Sequence, residues 1–296
     1  MLRRNAIRNL TGTALTLSAV PSLASQLMNE SEPAAAYGTA MTVLKGNINH
    51  SVCRWCYSKI PLDDLCKSAK EMGIKSIDLV GPDEWPTLKK YGLTSALPQG
   101  AGKGIGDGFN DPKLHDELVA SYEAIFPKLV AAGYKTVICF SGNRRGMSDA
   151  EGMENCAKGL KRLMPSAEKH GITIIMELLN SKVDHKDYMC DHTLWGVELC
   201  KKVGSDKFKL LYDIYHMQIM EGDLIRNIRD HHQYIGHYHT GGNPGRNEID
   251  QTQEIYYPAV MQAIVATGFK GYVAQEFIPK RDPLTSLREA VVLCDV

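Results

Sequence analysis

The sequence predicts an α/β fold: a single (β/α)8 TIM barrel preceded by an N-terminal export signal. Three observations lead there. First, short apolar runs alternate with longer amphipathic stretches from residue 41 onward, the pattern of βαβ units feeding a parallel sheet. Second, several amphipathic stretches stop at a glycine that restarts an apolar run, at Gly73, Gly133, Gly171 and Gly268, and glycine just past a helix end is a stop signal. Third, the chain has 296 residues; setting aside about 40 at the N-terminus leaves about 256, close to the roughly 250 of such a barrel.

Composition narrows the function classes. Lys+Arg and Asp+Glu both number 34, hydrophobic residues make up 44% and charged residues 23%. That apolar content excludes a disordered chain. Zero net charge argues against a partner bound through bulk charge, such as nucleic acid, which demands a basic excess. No run of 18 apolar residues is present, so no membrane span is expected.

Residues 1–40 are expected to be a signal and linker. Arg3, Arg4 and Arg8 make a basic start, 10–23 is mildly apolar, and Ser22, Leu23 and Ala24 form a small-x-small cleavage signal. The paired arginines suggest a twin-arginine export signal, which addresses the chain out of the cytoplasm, to the periplasm. Residues 29–39 read as linker, and 41–296 as one barrel domain.

Within that domain the predicted strands are 46–50, 76–80, 94–97, 136–140, 172–178, 208–212, 234–239 and 272–275. The predicted helices are 62–72, 114–132, 150–169, 194–203, 224–231, 258–267 and 283–293. The second unit is weak, because 83–91 supports only a short helix. The Gly-rich stretch 99–108 lacks the Gly-Lys-Ser/Thr of a P-loop and does not follow the first strand of a dinucleotide-binding unit; it reads as a flexible loop near the mouth of the site. The eight cysteines are scattered. Cys53 and Cys56 form a CxxC with no second pair, so a zinc ribbon is not indicated, and free or buried thiols are expected.

In a parallel barrel, chemistry sits at the carboxyl ends of the strands. Four successive predicted strands end in potential metal ligands: Glu177, Asp213, His239 and Glu276. They are far apart in sequence, so they form a set only if a barrel gathers the strand ends. Three carboxylates and one imidazole suit a single divalent cation such as Mn²⁺, Mg²⁺ or Co²⁺.

The residues around these positions carry a family resemblance. Met176 to Ser181 (MELLNS), Leu211 to Gln218 (LYDIYHMQ) with Glu221 to Leu224 (EGDL), Gly236 to His239 (GHYH), Pro244 to Glu248 (PGRNE), Ile255 to Pro258 (IYYP) and Gln275 to Phe277 (QEF) resemble the hydroxypyruvate isomerase family. That family lies among the xylose-isomerase-like TIM barrels, beside ketose 3-epimerases and inosose dehydratases. The motifs cover roughly a third of the chain. The resemblance implies that Glu177, Asp213, His239 and Glu276 bind the metal and that Glu177 and Glu276 act as the acid/base pair. It also implies that His216 and Arg246 hold substrate oxygens. The chain departs from the pattern twice: His239 stands where hydroxypyruvate isomerases show Gln and ketose epimerases show His, and Asn247 replaces the His of an Arg-His-Glu.

The chemistry can be stated independently. Isomerising an α-hydroxy carbonyl compound means removing a proton beside a carbonyl and stabilising the enediolate, by a Lewis acid and a carboxylate in hydrogen-bond reach. One carboxylate shuttling between two carbons gives an aldose–ketose isomerase. Two on opposite faces of one carbon give an epimerase, and loss of water from the same enolate gives a lyase. A non-catalytic exported sugar-binding protein is a fourth reading, disfavoured because a binder has no need of both glutamates.

Further contacts with a keto acid or sugar are expected from loops at the same barrel end. Arg144 or Arg145 could clamp a carboxylate or phosphate, or simply form a salt bridge. His185 and Lys186 follow the fifth predicted strand. Trp55 and Tyr57 could cover one side of a sugar or pack at the rim. His237 is expected to pack outside the barrel, facing away from His239. The sequence leaves a homo-oligomer open.

Overall fold

The computed structural model describes residues 43–296; the expected signal and linker, 1–40, lie outside the described residues. Seven strands form one parallel sheet: β1 (Asn49–Cys53), β2 (Ser76–Asp78), β3 (Thr136–Cys139), β4 (Thr173–Glu177), β5 (Phe208–Asp213), β6 (Ile235–Thr240) and β7 (Tyr272–Gln275). Their order is β2-β1-β7-β6-β5-β4-β3. The helices are α1 (Leu62–Glu71), α2 (Trp85–Lys90), α3 (His115–Ala132), α4 (Asp149–His170), α5 (Thr193–Val203), α6 (Ile214–Met220), α7 (Leu224–His231), α8 (Tyr257–Ala266) and α9 (Pro283–Cys294).

The ring closes through a segment that is barely a strand. Residues 94–98 lie between β2 and β3, the two outer strands of the sheet. On the β2 side, Ile77 N donates to Thr94 O (3.0 Å), Leu79 N to Leu97 O (2.8 Å) and Thr94 N to Lys75 O (3.1 Å). On the β3 side there is one backbone bond, from Ile138 N to Pro98 O (3.2 Å), and one from the Thr136 hydroxyl to Ala96 O. The predicted strand 94–97 is therefore in place, but only Ser76 and Thr94 form a ladder bridge. Pro98 has no N–H to extend the pairing. The first strand also differs, running Asn49–Cys53 rather than 46–50. Its inward positions carry Ser51 and Cys53, so apolar patterning could not locate it.

The helices follow their predicted bounds within two residues because their ends are marked. Ser148 Oγ accepts from Glu151 N at the start of α4, and α3 and α4 end on Gly133 (φ 83°) and Gly171 (φ 69°) in the left-handed region, where a Cβ is penalised. Helix α6 was not anticipated: it starts on the residue after β5, with the Asp213 carboxylate accepting from His216 N as its cap. Inside the ring, Leu97, Ile138, Ile175 and Leu211 form a small apolar cluster of their own. Ile175 and Leu211 lie two residues before Glu177 and Asp213, hence on the same strand faces, and floor the site on that side. All eight cysteines are free and all but Cys56 are buried, as expected.

Candidate active site

Strand geometry brings the four predicted ligands together. Glu177 closes β4, Asp213 closes β5, His239 is the fifth residue of β6 and Glu276 follows β7. All four are buried, and one ligand atom of each lies within 4.8 Å of the others. The ladder sets this: Asp213 is in register with His239, and His239 with Ala274, two residues before Glu276 on the same face.

The donors around this cluster are specific. His239 Nδ1 lies 2.8 Å from Glu276 Oε2 and 3.7 Å from Glu177 Oε1. Trp55 Nε1 donates to Glu276 Oε1 at 2.7 Å. Arg246 Nη2 donates to Glu276 Oε2 at 2.5 Å and to Asp213 Oδ2 at 3.2 Å. Its guanidinium also lies 5.3 Å from the Trp55 ring and 5.4 Å from the Tyr215 ring, within cation–π range.

This surrounding splits the carboxylates. Burial raises Glu177, with the charge of Glu276 adding to it. Burial likewise pushes Asp213 up to about 8 despite Arg246. Burial acts the same way on Glu276, but Arg246 and His239 overcome it and hold that carboxyl well below the usual range. Without a cation the site therefore keeps one carboxylate ionised, Glu276, and drives two, Glu177 and Asp213, toward their protonated forms.

His216 is placed by a short chain of bonds. The Asn180 side-chain oxygen accepts from Val183 N (3.0 Å) and Asp184 N (2.9 Å), which fixes its amide nitrogen as the group facing His216 Nδ1 at 2.6 Å. Nδ1 must then accept, and Nε2 carries the hydrogen. Burial, helped by Arg246, holds this imidazole well below 6.5 and so neutral. Nε2 is buried without a hydrogen-bond partner, 3.7 Å from Asp213 Oδ2: a spare donor beside the cluster. The half-buried His185 ring packs against it, 5.3 Å between centroids.

Other sequence expectations are redirected. Of the two expectations for Arg144, the salt bridge is the one observed: its guanidinium is committed to Asp149, Asp191 and the carbonyls of Tyr188 and Met189, and it ties the loop after β3 to the loop after β4. Arg145 bonds Asp107 at 2.5 Å and the Gly106 carbonyl. The Gly-rich stretch 99–108 thereby contacts the loop after β3, with Asn143 N donating to Gly106 O (3.0 Å) and a Cβ at Gly108 falling onto the backbone of 140–142. Tyr57 is buried edge-on against Phe277, whereas Trp55 stays partly exposed at the rim.

His237 is the clearest correction. Residues two apart on a strand share a face, so it points inward with His239, the rings 5.2 Å apart. His237 Nε2 is 2.6 Å from Asp78 Oδ2. Asp78 also accepts from Ser51 Oγ (2.7 Å) and Ser76 Oγ (2.9 Å), and Cys53 Sγ lies 3.6 Å from His239 Nε2. Burial pushes the Asp78 carboxyl up, but His237 and His239 pull it below the usual range. Sequence reasoning missed this layer; the one available signal was the His-x-His spacing within β6.

Known proteins resemble this chain in sequence and in fold. A "putative hydroxypyruvate isomerase" of Homo sapiens is 32% identical over 113 residues, 38% of this chain and 41% of that one. A 2-oxo-tetronate isomerase of Cupriavidus necator is 31% identical over 115 residues, 39% of this chain and 44% of that one. These matches span less than half the length of either relative. Among solved structures, an AP endonuclease, family 2, from Brucella melitensis superposes with a TM-score of 0.71 at 23% identity, over 81% of this chain and 97% of that one, a likeness of fold. The model of the xylose isomerase-like TIM barrel family matches residues 66–293, and the chain belongs to that family.

Proposed function

We propose that this protein is a metal-dependent isomerase. It would interconvert an α-hydroxy carbonyl compound of the hydroxypyruvate/tartronate semialdehyde type by proton transfer through an enediolate. The observation that carries the reading is the buried convergence of Glu177, Asp213, His239 and Glu276 within 4.8 Å. The names of the relatives support the reaction class.

The donor set fits a divalent cation. Three carboxylates and an imidazole suit Mn²⁺, Mg²⁺ or Co²⁺, and Glu177 Oε1 is buried without a hydrogen-bond partner. When bound, the ion would supply Lewis-acid stabilisation of negative charge developing on substrate oxygens. Glu276, held ionised, takes the proton from the hydroxyl-bearing carbon and returns it to the neighbouring carbonyl carbon. Glu177, the other carboxylate of the pair, moves the hydroxyl proton between the two oxygens. His216 Nε2–H and Arg246 orient those oxygens, and burial keeps bulk water from the enediolate.

The test is deuterium incorporation in D₂O with Mn²⁺, offering hydroxypyruvate, other 2-keto acids and ketoses. Glu276→Gln and Glu177→Gln should each lower turnover 10²- to 10⁴-fold, about the worth of a general acid or base, with the circular dichroism spectrum unchanged. Full turnover in either variant refutes the assignment. His239 favours a second reading, a ketose 3-epimerase, which would show deuterium at one carbon with inverted configuration. Formation of an unsaturated product would indicate an inosose-dehydratase-like lyase, and no deuterium entry a sugar-binding protein. Export belongs to the same proposal: replacing Arg3 and Arg4 by Lys should retain the chain in the cytoplasm on cell fractionation.

A further inference from the structure

Beneath the four candidate ligands lies a second buried polar layer, of Asp78, His237, Ser51, Ser76 and Cys53, that the proposed chemistry does not use. The barrel interior opposite it is apolar, closed by Leu97, Ile138, Ile175 and Leu211, and burying a carboxylate next to such a wall is costly unless it is fully bonded. Asp78 is fully buried and is bonded at both oxygens. Oδ1 accepts from Ser51, Ser76 and Leu97 N (3.3 Å), and Oδ2 faces His237 at 2.6 Å and His239 Nε2 at 3.8 Å. The partners come from β1, β2, β6 and the 94–98 segment, so four parts of the ring fix where this carboxylate sits.

The two edges of the His239 ring face different surroundings. Nδ1 looks toward Glu276 and Glu177. Nε2 lies 3.6 Å from Cys53 Sγ and 3.8 Å from Asp78 Oδ2, so the carboxylate acts on it through its charge rather than a direct hydrogen bond. An imidazole can offer a lone pair at one nitrogen only if the other carries the proton, and a carboxylate behind a ligand histidine fixes that choice.

We propose that Asp78, itself held by His237 and Ser51, is the positioning residue that sets the His239 tautomer and ring plane, leaving Nδ1 as the nitrogen offered to the cation. This rests on the metal reading above. It assigns Asp78 no contact with substrate.

The experiment measures Mn²⁺ affinity by competition with a fluorescent chelator, together with ¹⁵N chemical shifts of His239 in Mg²⁺-loaded protein. The wild-type chain should bind one equivalent, with Nε2 protonated. Asp78→Asn keeps the volume and should weaken Mn²⁺ binding 10- to 100-fold, the effect expected for losing such a partner, and His237→Gln should weaken it less. The ¹⁵N reading on the wild-type chain stands even where a variant fails to fold. Unprotonated Nε2 in the loaded protein, or unchanged affinity in folded Asp78→Asn, overturns the inference while leaving the metal reading intact. A second equivalent of Mn²⁺ lost in both Asp78→Asn and Cys53→Ser would also overturn it, by making Asp78 a ligand. Absence of any binding in the wild-type chain overturns the metal reading and this inference together.

Discussion

Replacing Arg246 with Met tests how the metal-free site balances its charge. Methionine keeps an apolar stem between Trp55 and Tyr215 but removes the guanidinium, so packing is largely conserved. Arg246 is the one cationic side chain of Lys or Arg type bonded to these carboxylates among the described residues, touching both Asp213 and Glu276. Its side chain is 12% exposed and theirs 0% and 3%, so solvent cannot substitute for it. Breaking a buried pair from one side costs about 3–5 kcal/mol. In a domain of this size 1 kcal/mol moves Tm by about 2–4 °C, giving a drop on the order of 10 °C. Mn²⁺ bound by the same carboxylates would restore the missing positive charge, so it should raise Tm more in Arg246→Met than in the wild-type chain. The assay is thermal unfolding by circular dichroism in chelator and again in saturating Mn²⁺. A metal-free Tm within about 2 °C of wild type, or an equal Mn²⁺ shift in both proteins, would refute this account.

Three further outcomes are expected. His50 is buried, its Nε2 3.7 Å from Asp295 just past α9, and burial lowers it from 6.5 to about 4. A histidine lowered by folding binds its proton in the unfolded chain first, so stability is full above pH 6.5 and falls as pH drops toward 4, by at most about 3 kcal/mol. Urea unfolding of His50→Gln should show that part of the acid slope flattened; an unchanged slope counts against the assignment. Glu248 accepts from Lys280 N (2.8 Å), Arg281 N (2.9 Å) and Ser286 Oγ (3.0 Å), tying the loop after β7 to the loop carrying Arg246. Glu248→Ala should cost about 2–4 kcal/mol in urea unfolding, since bonds to a charged acceptor are the strong ones; a loss under 1 kcal/mol would show that the tie is incidental. Gly242→Ala would drive a Cβ onto the carbonyl of Glu248 and displace the loop that positions Arg246, so KM should rise well beyond any change in Tm, and unchanged kinetics would separate that loop from substrate binding.

The four-residue cluster was legible because each member follows an apolar or alternating run, and the barrel rule says what strand ends do. Helix bounds were legible because caps and glycines mark them locally. Asp78 was not, since nothing near Ser76–Asp78 shows that β6, 159 residues later, supplies its partner. The choice between substrate clamp and salt bridge at Arg144 stayed open for the same reason: its commitment to Asp191 depends on two loops meeting. Helix α6 was hidden because Ile214–Met220 follows β5 with no intervening turn, the cap being the candidate ligand Asp213 itself.

The near-strand at 94–98 has a mechanical consequence. All four cluster residues are mounted on β4 to β7, which are consecutive neighbours in the sheet, whereas the thinnest joint, one backbone bond from β3 to Pro98, lies on the far side of the ring. The barrel is built like a C-clamp, with a rigid jaw gripping the site and a narrow gap opposite. Local opening starts where bonds are fewest, so amides facing the 94–98 seam should exchange with solvent well before those of β5 and β6. Of the four cluster residues, only His239 is linked to that seam, through Asp78 and Leu97 N, and new chain ends cut into 99–103 would meet less resistance than anywhere along the jaw.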